Sequence, residues 1–456
     1  MKKSFKEISG SIIAPRGFLA SGVFCDIKRL GTGKGSDKGQ KRDLALIVSE
    51  VPATVAGMFT TNQVCAAPVK VCVARVKKGT AWAVVINSGN ANACTGKQGL
   101  QDAQEMVRYA ERALNFPKGS VLAGSTGRIG VTLPMDNVRA GIIEACVELG
   151  STAGHAARAV EAIMTSDTRP KQIAVEFKMG GKTVRIGGIC KGAGMIQPGM
   201  SGTGARPAAL PRALHATMLG FITTDAAVEA KVLQAALQEA VAQSFNRITV
   251  DGDMSTNDTV LVLANGLAGN SPLVAANVSS RKSALSQARL HDFEVFQSAL
   301  NHVCLELAKM IVRDGEGVHR IVTVRVNGAK TVADADAAAR AVANSALVKT
   351  SWHGGDPNWG RIIDALGYSP AKIIEEKVDI GYSLAGGKKI LWSLKRGQPT
   401  KATFKQLCAA VAPKEFDLHI NLNLGPADAV IYAADLTEAY VDFNKGDVGD
   451  PGSLGG

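Results

Sequence analysis

Along residues 172 to 192, "QIAVEFKMGGKTVRIGGICKG", apolar and polar positions alternate on either side of Gly180 and Gly181. A period of about two with a glycine pair at its centre predicts a β-hairpin. In "TAWAVVINSGNANACTG", Ala81 to Ile86 read as a buried strand running into a polar loop of Asn87, Ser88, Gly89, Asn90 and Asn92. Strand-to-loop transitions of this kind often carry function. The basic, Gly-rich segment 27–42 reads as an exposed loop, and the "LALIVSEVPATVAGMFTTN" that follows it is strand-like. Further on the period changes. Val228, Val232, Leu233, Leu237 and Val241 fall on one helical face, with Thr224 or Asp225 as the expected N-cap. Phe293, Phe296, Leu300, Val303, Leu307, Met310 and Ile311 mark a longer helix that stops at "RDGEG". "RIVTVRVNG", "KVDIGYSLAG", "KILWSLKRG", "FDLHINLNLG" and "AVIYAADLT" read mostly as strands, and "ADADAAARAVANSA" as a helix. Helices packed on antiparallel-rich sheets predict an α+β layered fold.

Composition narrows the function classes. The 456 residues are 46% hydrophobic, 20% charged and 5% aromatic, which is the make-up of a globular protein of two or three domains or one large body. The longest uncharged stretch, Thr259 to Ser280, is broken by Pro272, asparagines and glycines, so a membrane-spanning helix is not expected. The opening "MKKSFKEISGSIIAPRGF" lacks a secretory apolar core, and Glu7 speaks against a transit peptide, so the expected location is the cytoplasm. Eight scattered cysteines include no C-x-x-C pair and no histidine at ligand spacing; neither a metal site nor a disulfide scaffold is expected. A formal charge of +12 is spread along the chain with few aromatics, which favours anionic small molecules such as carboxylates over nucleic acid.

Five places carry candidate chemistry; the plainer readings of three of them are an ordinary turn at Ser125–Gly127, a surface lysine at Lys191 and helix-terminating loop chemistry at Glu316. Thr217 within a chain is a poor nucleophile, but a cut between Ala216 and Thr217 would free an α-amine with a pKa of about 8 within reach of its own hydroxyl. The plain reading is a β-branched strand residue. Ser125, Thr126 and Gly127 in "AGSTGRIG" form, on this reading, a tight turn able to aim a hydroxyl and N–H groups at one point, as an oxyanion hole requires. Lys191, before "GAGMI", could meet a carboxylate, and Glu316, in "RDGEG", a substrate ammonium. "GGDPNWGRI" brings together Asp356, Asn358, Trp359 and Arg361, or does no more than fix a turn.

Read together, "VPATVAGMFTTNQVCAAPV", "VINSGNANACTG", "GSTGRIG", "IMTSDT", "KGAGMIQP", "ATMLGFITTDA", "SFNRITVDGDMSTNDT", "RDGEG" and "GGDPNWGRI" resemble the ornithine acetyltransferase family, the bifunctional glutamate N-acetyltransferases of arginine biosynthesis. The resemblance runs from about Pro15 to about Asn444. It implies a layered αββα-type sandwich of the autoprocessed, N-terminal-nucleophile kind, cut into fragments 1–216 and 217–456 that stay together as two copies of each. It further implies Thr217 as nucleophile, Thr126 and Gly127 as oxyanion hole, and Thr165, Lys191, Thr217, Glu316 and Asn444 as substrate contacts. The implied reaction is ping-pong transfer of acetyl from N-acetylornithine to glutamate through an acetyl-threonine, with no cofactor and no metal. Acetyl-CoA stands open as a further donor.

Three departures from the family pattern stand out. Residues 201–215 are inserted ahead of Ala216; Val318, His319 and Arg320 replace the usual Ala-Thr-Lys after "GEG"; and the chain after Asn444 lacks the usual Asp-Tyr-Arg ending. Two other readings remain beside acetyl transfer: an autoprocessed amidase or aminopeptidase in which water takes the acyl group, and an uncut binding protein.

Overall fold

The computed structural model describes residues 5–28, 41–205, 218–275 and 284–445. Ala216, Thr217, most of the inserted stretch and most of the basic segment 27–42 lie outside the described residues. The strands are β1 (Phe5–Ile8), β2 (Phe18–Val23), β3 (Leu44–Thr60), β4 (Thr80–Asn90), β5 (Val121–Arg128), β6 (Lys171–Met179), β7 (Lys182–Lys191), β8 (Met200–Ser201) and β9 (Leu219–Thr224). They continue with β10 (Ile248–Thr249), β11 (Thr259–Ala264), β12 (Ile321–Ala329), β13 (Asp379–Leu384), β14 (Leu391–Lys395), β15 (Gln398–Pro399), β16 (Glu415–Asn421) and β17 (Ala427–Ala434). One sheet runs β1-β6-β7-β9-β11-β3-β4-β5, with β2 and β8 also paired to β3; the other runs β10-β17-β12-β16-β13-β14-β15.

Both faces of the first sheet are covered, which is why its strands are apolar on both sides. Leu219 and Phe221 of β9 and Leu261 and Leu263 of β11 join the core beneath helices Ala67–Val76, Gly96–Ala113, Met135–Val147 and Ala153–Ile163. Their alternates, Ile222, Val260 and Val262, join the opposite core with helices Ala230–Ala242 and Ala284–Arg313. The last of these also packs on β17 and so links the two sheets. A third core lies between the second sheet and the helices Val332–Asn344, Ala346–Gly354, Trp359–Gly367 and Phe404–Val411. The α+β layered reading holds. Among the described residues no helix is long and apolar enough to cross a membrane.

The predicted hairpin is β6–β7, antiparallel, with Gly180 at φ +55° and Gly181 at +76°, the left-handed pair that a tight two-residue hairpin turn demands. Two local expectations are corrected. The helix after β9 begins at Ala230 behind Glu229, with no side-chain cap. Thr224 donates its hydroxyl to the Arg185 carbonyl, and the Asp225 carboxylate accepts from the Arg185 and Arg16 N–H groups, so both are occupied with sheet neighbours. The second correction is that β4 does not end at Ile86. It continues through Asn87, Ser88 and Asn90, all fully buried, because their side chains find internal hydrogen bonds.

Gly22 of β2 sets how closely the helix Ala153–Ile163 approaches. A Cβ there would stand 2.1 Å from the Arg158 carbonyl oxygen, which is backbone and cannot swing away. Gly22→Ala is expected to lower stability by about 1–3 kcal/mol or more. Gly367→Ala, where an added Cβ meets nothing within 4 Å, is expected to be neutral or mildly stabilising. Denaturant midpoints of the two variants check the pair; equal shifts would remove the packing argument.

Candidate active site

The C-terminal ends of β5 and β7 and the start of β9 meet beside the loop that precedes β11. Thr126 and Gly127 lie at the end of β5, and not in the tight turn expected from the sequence. The strand stays paired with β4 through an irregularity at Gly89 and Asn90. Gly127 has φ +129°, and a Cβ on it would lie 2.3 Å from the Gly89 carbonyl carbon. Only glycine lets the two backbones come so close. Ser125 donates to Asn87 Oδ1 at 2.6 Å, and Asn257 Nδ2 donates to the Ser125 carbonyl at 2.8 Å, so the strand end is held from both sides.

Lys191 closes β7. Its Nζ donates to Thr126 Oγ1 at 3.2 Å and stands 3.9 Å from Asp167 Oδ2, with the side chain 3% exposed. Burial lowers the pKa of this ammonium, against the opposing pull of Asp167. Asp167 in turn accepts from Lys171 Nζ at 2.6 Å, from the Gly192 N–H at 2.7 Å and from the Thr165 N–H at 3.0 Å. Burial would raise its carboxyl, but Lys191 and Lys171 outweigh that and pull it down to about 2. Lys171 also pairs with Asp314, which accepts from the Thr168 hydroxyl and from the Thr168 and Arg169 N–H groups. "IMTSDT", "KGAGMI" and "RDGEG" are thereby locked to one ionic cluster. Half-buried Thr165 sits at its edge.

Glu316 donates its N–H to the Ala193 carbonyl at 2.9 Å, and its carboxylate lies over Gly194, where a Cβ would be 2.2 Å from Oε2. Asn444 Nδ2 donates to Glu316 Oε2 at 3.2 Å. Thr437 secures this contact: its hydroxyl donates to the Gly317 carbonyl at 2.7 Å and caps the helix Glu438–Phe443 by accepting from the Tyr440 N–H at 3.0 Å. The structure therefore brings Thr126, Gly127, Thr165, Lys191, Glu316 and Asn444 into one connected region. "GGDPNWGRI" is not bonded to it among the described residues. Asn358 caps the helix Trp359–Gly367, Arg361 donates to the Leu347 carbonyl, and Trp359 packs on the third core.

Sequence reasoning missed Asp258. It is fully buried; Oδ1 accepts from the Met218 N–H at 2.6 Å, while Oδ2 has no hydrogen-bond partner among the described residues. Burial raises its pKa well above the ordinary carboxylate value, with the Met218 N–H and Lys191 pulling the other way. Its only sequence signal was its place inside "STNDT", because what makes it unusual is burial.

Sequence comparisons with known proteins span nearly the whole chain. A sequence model of the ArgJ family matches residues 22–446. The Arginine biosynthesis bifunctional protein ArgJ of Symbiobacterium thermophilum is 45% identical over 96% of this chain and 98% of its own length. The Glutamate N-acetyltransferase of Methanocaldococcus jannaschii is 42% identical over 96% and 98%. A solved structure of the Ornithine Acetyltransferase of Mycobacterium tuberculosis complexed with ornithine is 36% identical and covers 43% of this chain and 100% of that one, at a TM-score of 0.39. Matched along nearly its whole length by the family and by relatives above 40% identity, this chain belongs to the ArgJ family.

Proposed function

We propose that the chain is a glutamate N-acetyltransferase of arginine biosynthesis that moves acetyl from N-acetylornithine to glutamate through Thr217. The observation that carries this reading is the contact of the buried Lys191 ammonium with the Thr126 hydroxyl, beside the Met218 N–H held by Asp258. Met218 is the residue joined to Thr217. The family relatives support the same reading by their names.

In the proposed chemistry the chain is cut between Ala216 and Thr217, giving fragments 1–216 and 217–456. The freed α-amine takes the Thr217 hydroxyl proton as the oxygen attacks the acetyl carbonyl. Thr126 and Gly127 stabilise the oxyanion, and the α-ammonium returns the proton to the departing ornithine amine. The acetyl ester of Thr217 is then taken by the amine of glutamate, and the free threonine is regenerated. Lys191 offers charge to a substrate carboxylate, while Glu316 and Asn444 close the other side and suit a substrate ammonium. Thr165 touches substrate from the Asp167 loop. Asp258 positions Met218, and through it the nucleophile. The resemblance extends the reading to two copies of each fragment and to acetyl-CoA as a second donor, assayed in place of N-acetylornithine.

Intact-mass analysis of active protein is expected to give two fragments divided between Ala216 and Thr217. Thr217→Ala is expected to stay whole and inactive; active protein recovered only at full length would sink the nucleophile assignment. With N-acetylornithine as donor, product formation is expected to require glutamate, and rapid acetate release indifferent to glutamate would replace transfer by hydrolysis. Thr126→Val is expected to lower kcat by roughly 10²–10³-fold, the usual effect of losing one oxyanion donor; an unchanged kcat would remove Thr126 from that role.

Asp258 also makes stability depend on pH. A carboxyl whose pKa is raised by folding contributes most below the unfolded value of about 3.9, and that contribution is lost as pH climbs toward the folded value. Asp258→Asn keeps an oxygen for the Met218 N–H and does not titrate. Its stability relative to the parent chain is therefore expected to rise between pH 4 and pH 7, read from paired urea midpoints. A pH-independent difference would show that the buried carboxyl is not held neutral.

A further inference from the structure

Adjoining the Glu316 side of the candidate active site, four elements of the second sheet and its helices converge on two histidines. His319 lies in the turn before β12, Asp435 directly follows β17, His353 is in the last turn of the helix Ala346–Gly354, and Glu438 is in the first turn of the helix Glu438–Phe443. One ligand atom each from His319, His353 and Asp435 lies within 4.8 Å of the others. The Asp435 side chain is fully buried. Its Oδ1 accepts from the His319 N–H at 3.0 Å, whereas Oδ2 has no hydrogen-bond partner among the described residues and lies 3.5 Å from His353 Nδ1, which has none among them either.

His353 Nε2 is 2.8 Å from Glu438 Oε2. With the ring proton on Nε2 and donated to that carboxylate, Nδ1 presents a lone pair to the lone pairs of Asp435 Oδ2. Two such atoms facing each other need something positive between them, either a second proton on the His353 ring or a metal ion. Ligands of one tetrahedral zinc ion, each about 2.0–2.2 Å from it, stand about 3.4 Å apart. A carboxylate on the far nitrogen of a ligating histidine is also the usual orienting partner. Arg320 donates to the Trp352 and His353 carbonyls and Lys349 to the Ala434 carbonyl; Lys349 also attracts Asp435 electrostatically, but among the described residues neither cation donates to Asp435 Oδ2.

We propose that His319, His353 and Asp435 bind a divalent transition-metal ion of the zinc type, with Glu438 orienting His353 and water completing the coordination. The ion braces the helix Glu438–Phe443 against β12 and β17 and takes no part in acetyl transfer. This departs from the metal-free expectation drawn from cysteine spacing, since the ligands here come from positions far apart in the chain.

The test uses the full-length chain, stripped with chelator and titrated with zinc or with cobalt as a spectroscopic probe. The expected result is one equivalent bound per chain, a rise in thermal midpoint of several degrees, and a cobalt spectrum without a thiolate charge-transfer band. His353→Gln and His319→Thr, at partly exposed and exposed positions, are expected to keep the metal-free midpoint near that of the parent and to lose at least tenfold in affinity. Three outcomes overturn the proposal: no binding by the parent at micromolar zinc, equal binding by both variants, or a thiolate band that moves the metal to one of the eight cysteines.

Discussion

Lys171 is an ammonium withdrawn from water between two carboxylates, and the candidate active site is assembled around that fact. A buried charge is costly unless it is paired and hydrogen-bonded, and removing one partner of such a group strands the rest. Asp167 and Asp314 outweigh the desolvation of Lys171 and hold its pKa above the ordinary value. The same two aspartates spend their remaining lone pairs on the Thr165, Thr168, Arg169 and Gly192 N–H groups. Three segments distant in sequence are thus committed to one geometry. Lys191 inherits its place from it, because Asp167 faces both lysines.

Much of the scaffold was legible because it depends on local periodicity. The Gly180–Gly181 hairpin, the helix ending at Arg313 and the strands β12, β13, β14, β16 and β17 all follow from apolar spacing that burial rewards directly. The expectations that failed concern small polar residues. Asn87, Ser88 and Asn90 look like loop by composition, yet they sit inside a strand since Ala162, Thr132 and Asn90 itself supply acceptors. Thr224 and Asp225 look like caps, yet a sheet neighbour reaches them first. A polar side chain's role is decided by whichever partner the tertiary structure brings near, and a single sequence does not display that partner.

The candidate site divides along the same line. Thr126, Gly127, Lys191 and Glu316 were readable through long motifs taken together and Asn444 only through the family's chain ending, and the structure bonds Lys191 to Thr126 and Asn444 to Glu316. Asp167, Lys171 and Asp258 were not singled out, although the first and last lie within those motifs. Their significance comes from loss of solvent, which depends on what packs over them.

Segments that flank Thr217 are interleaved: β9 and β11, which follow it in sequence, lie between β7 and β3, which precede it. Backbone ladders along both margins of that inner pair form a zipped seam that owes nothing to the covalent link upstream of β9. Connectivity and architecture are consequently separable at this place. Under the proposed cut after Ala216 the protein would be two threads woven into one cloth, each exposing raw sheet edges without the other.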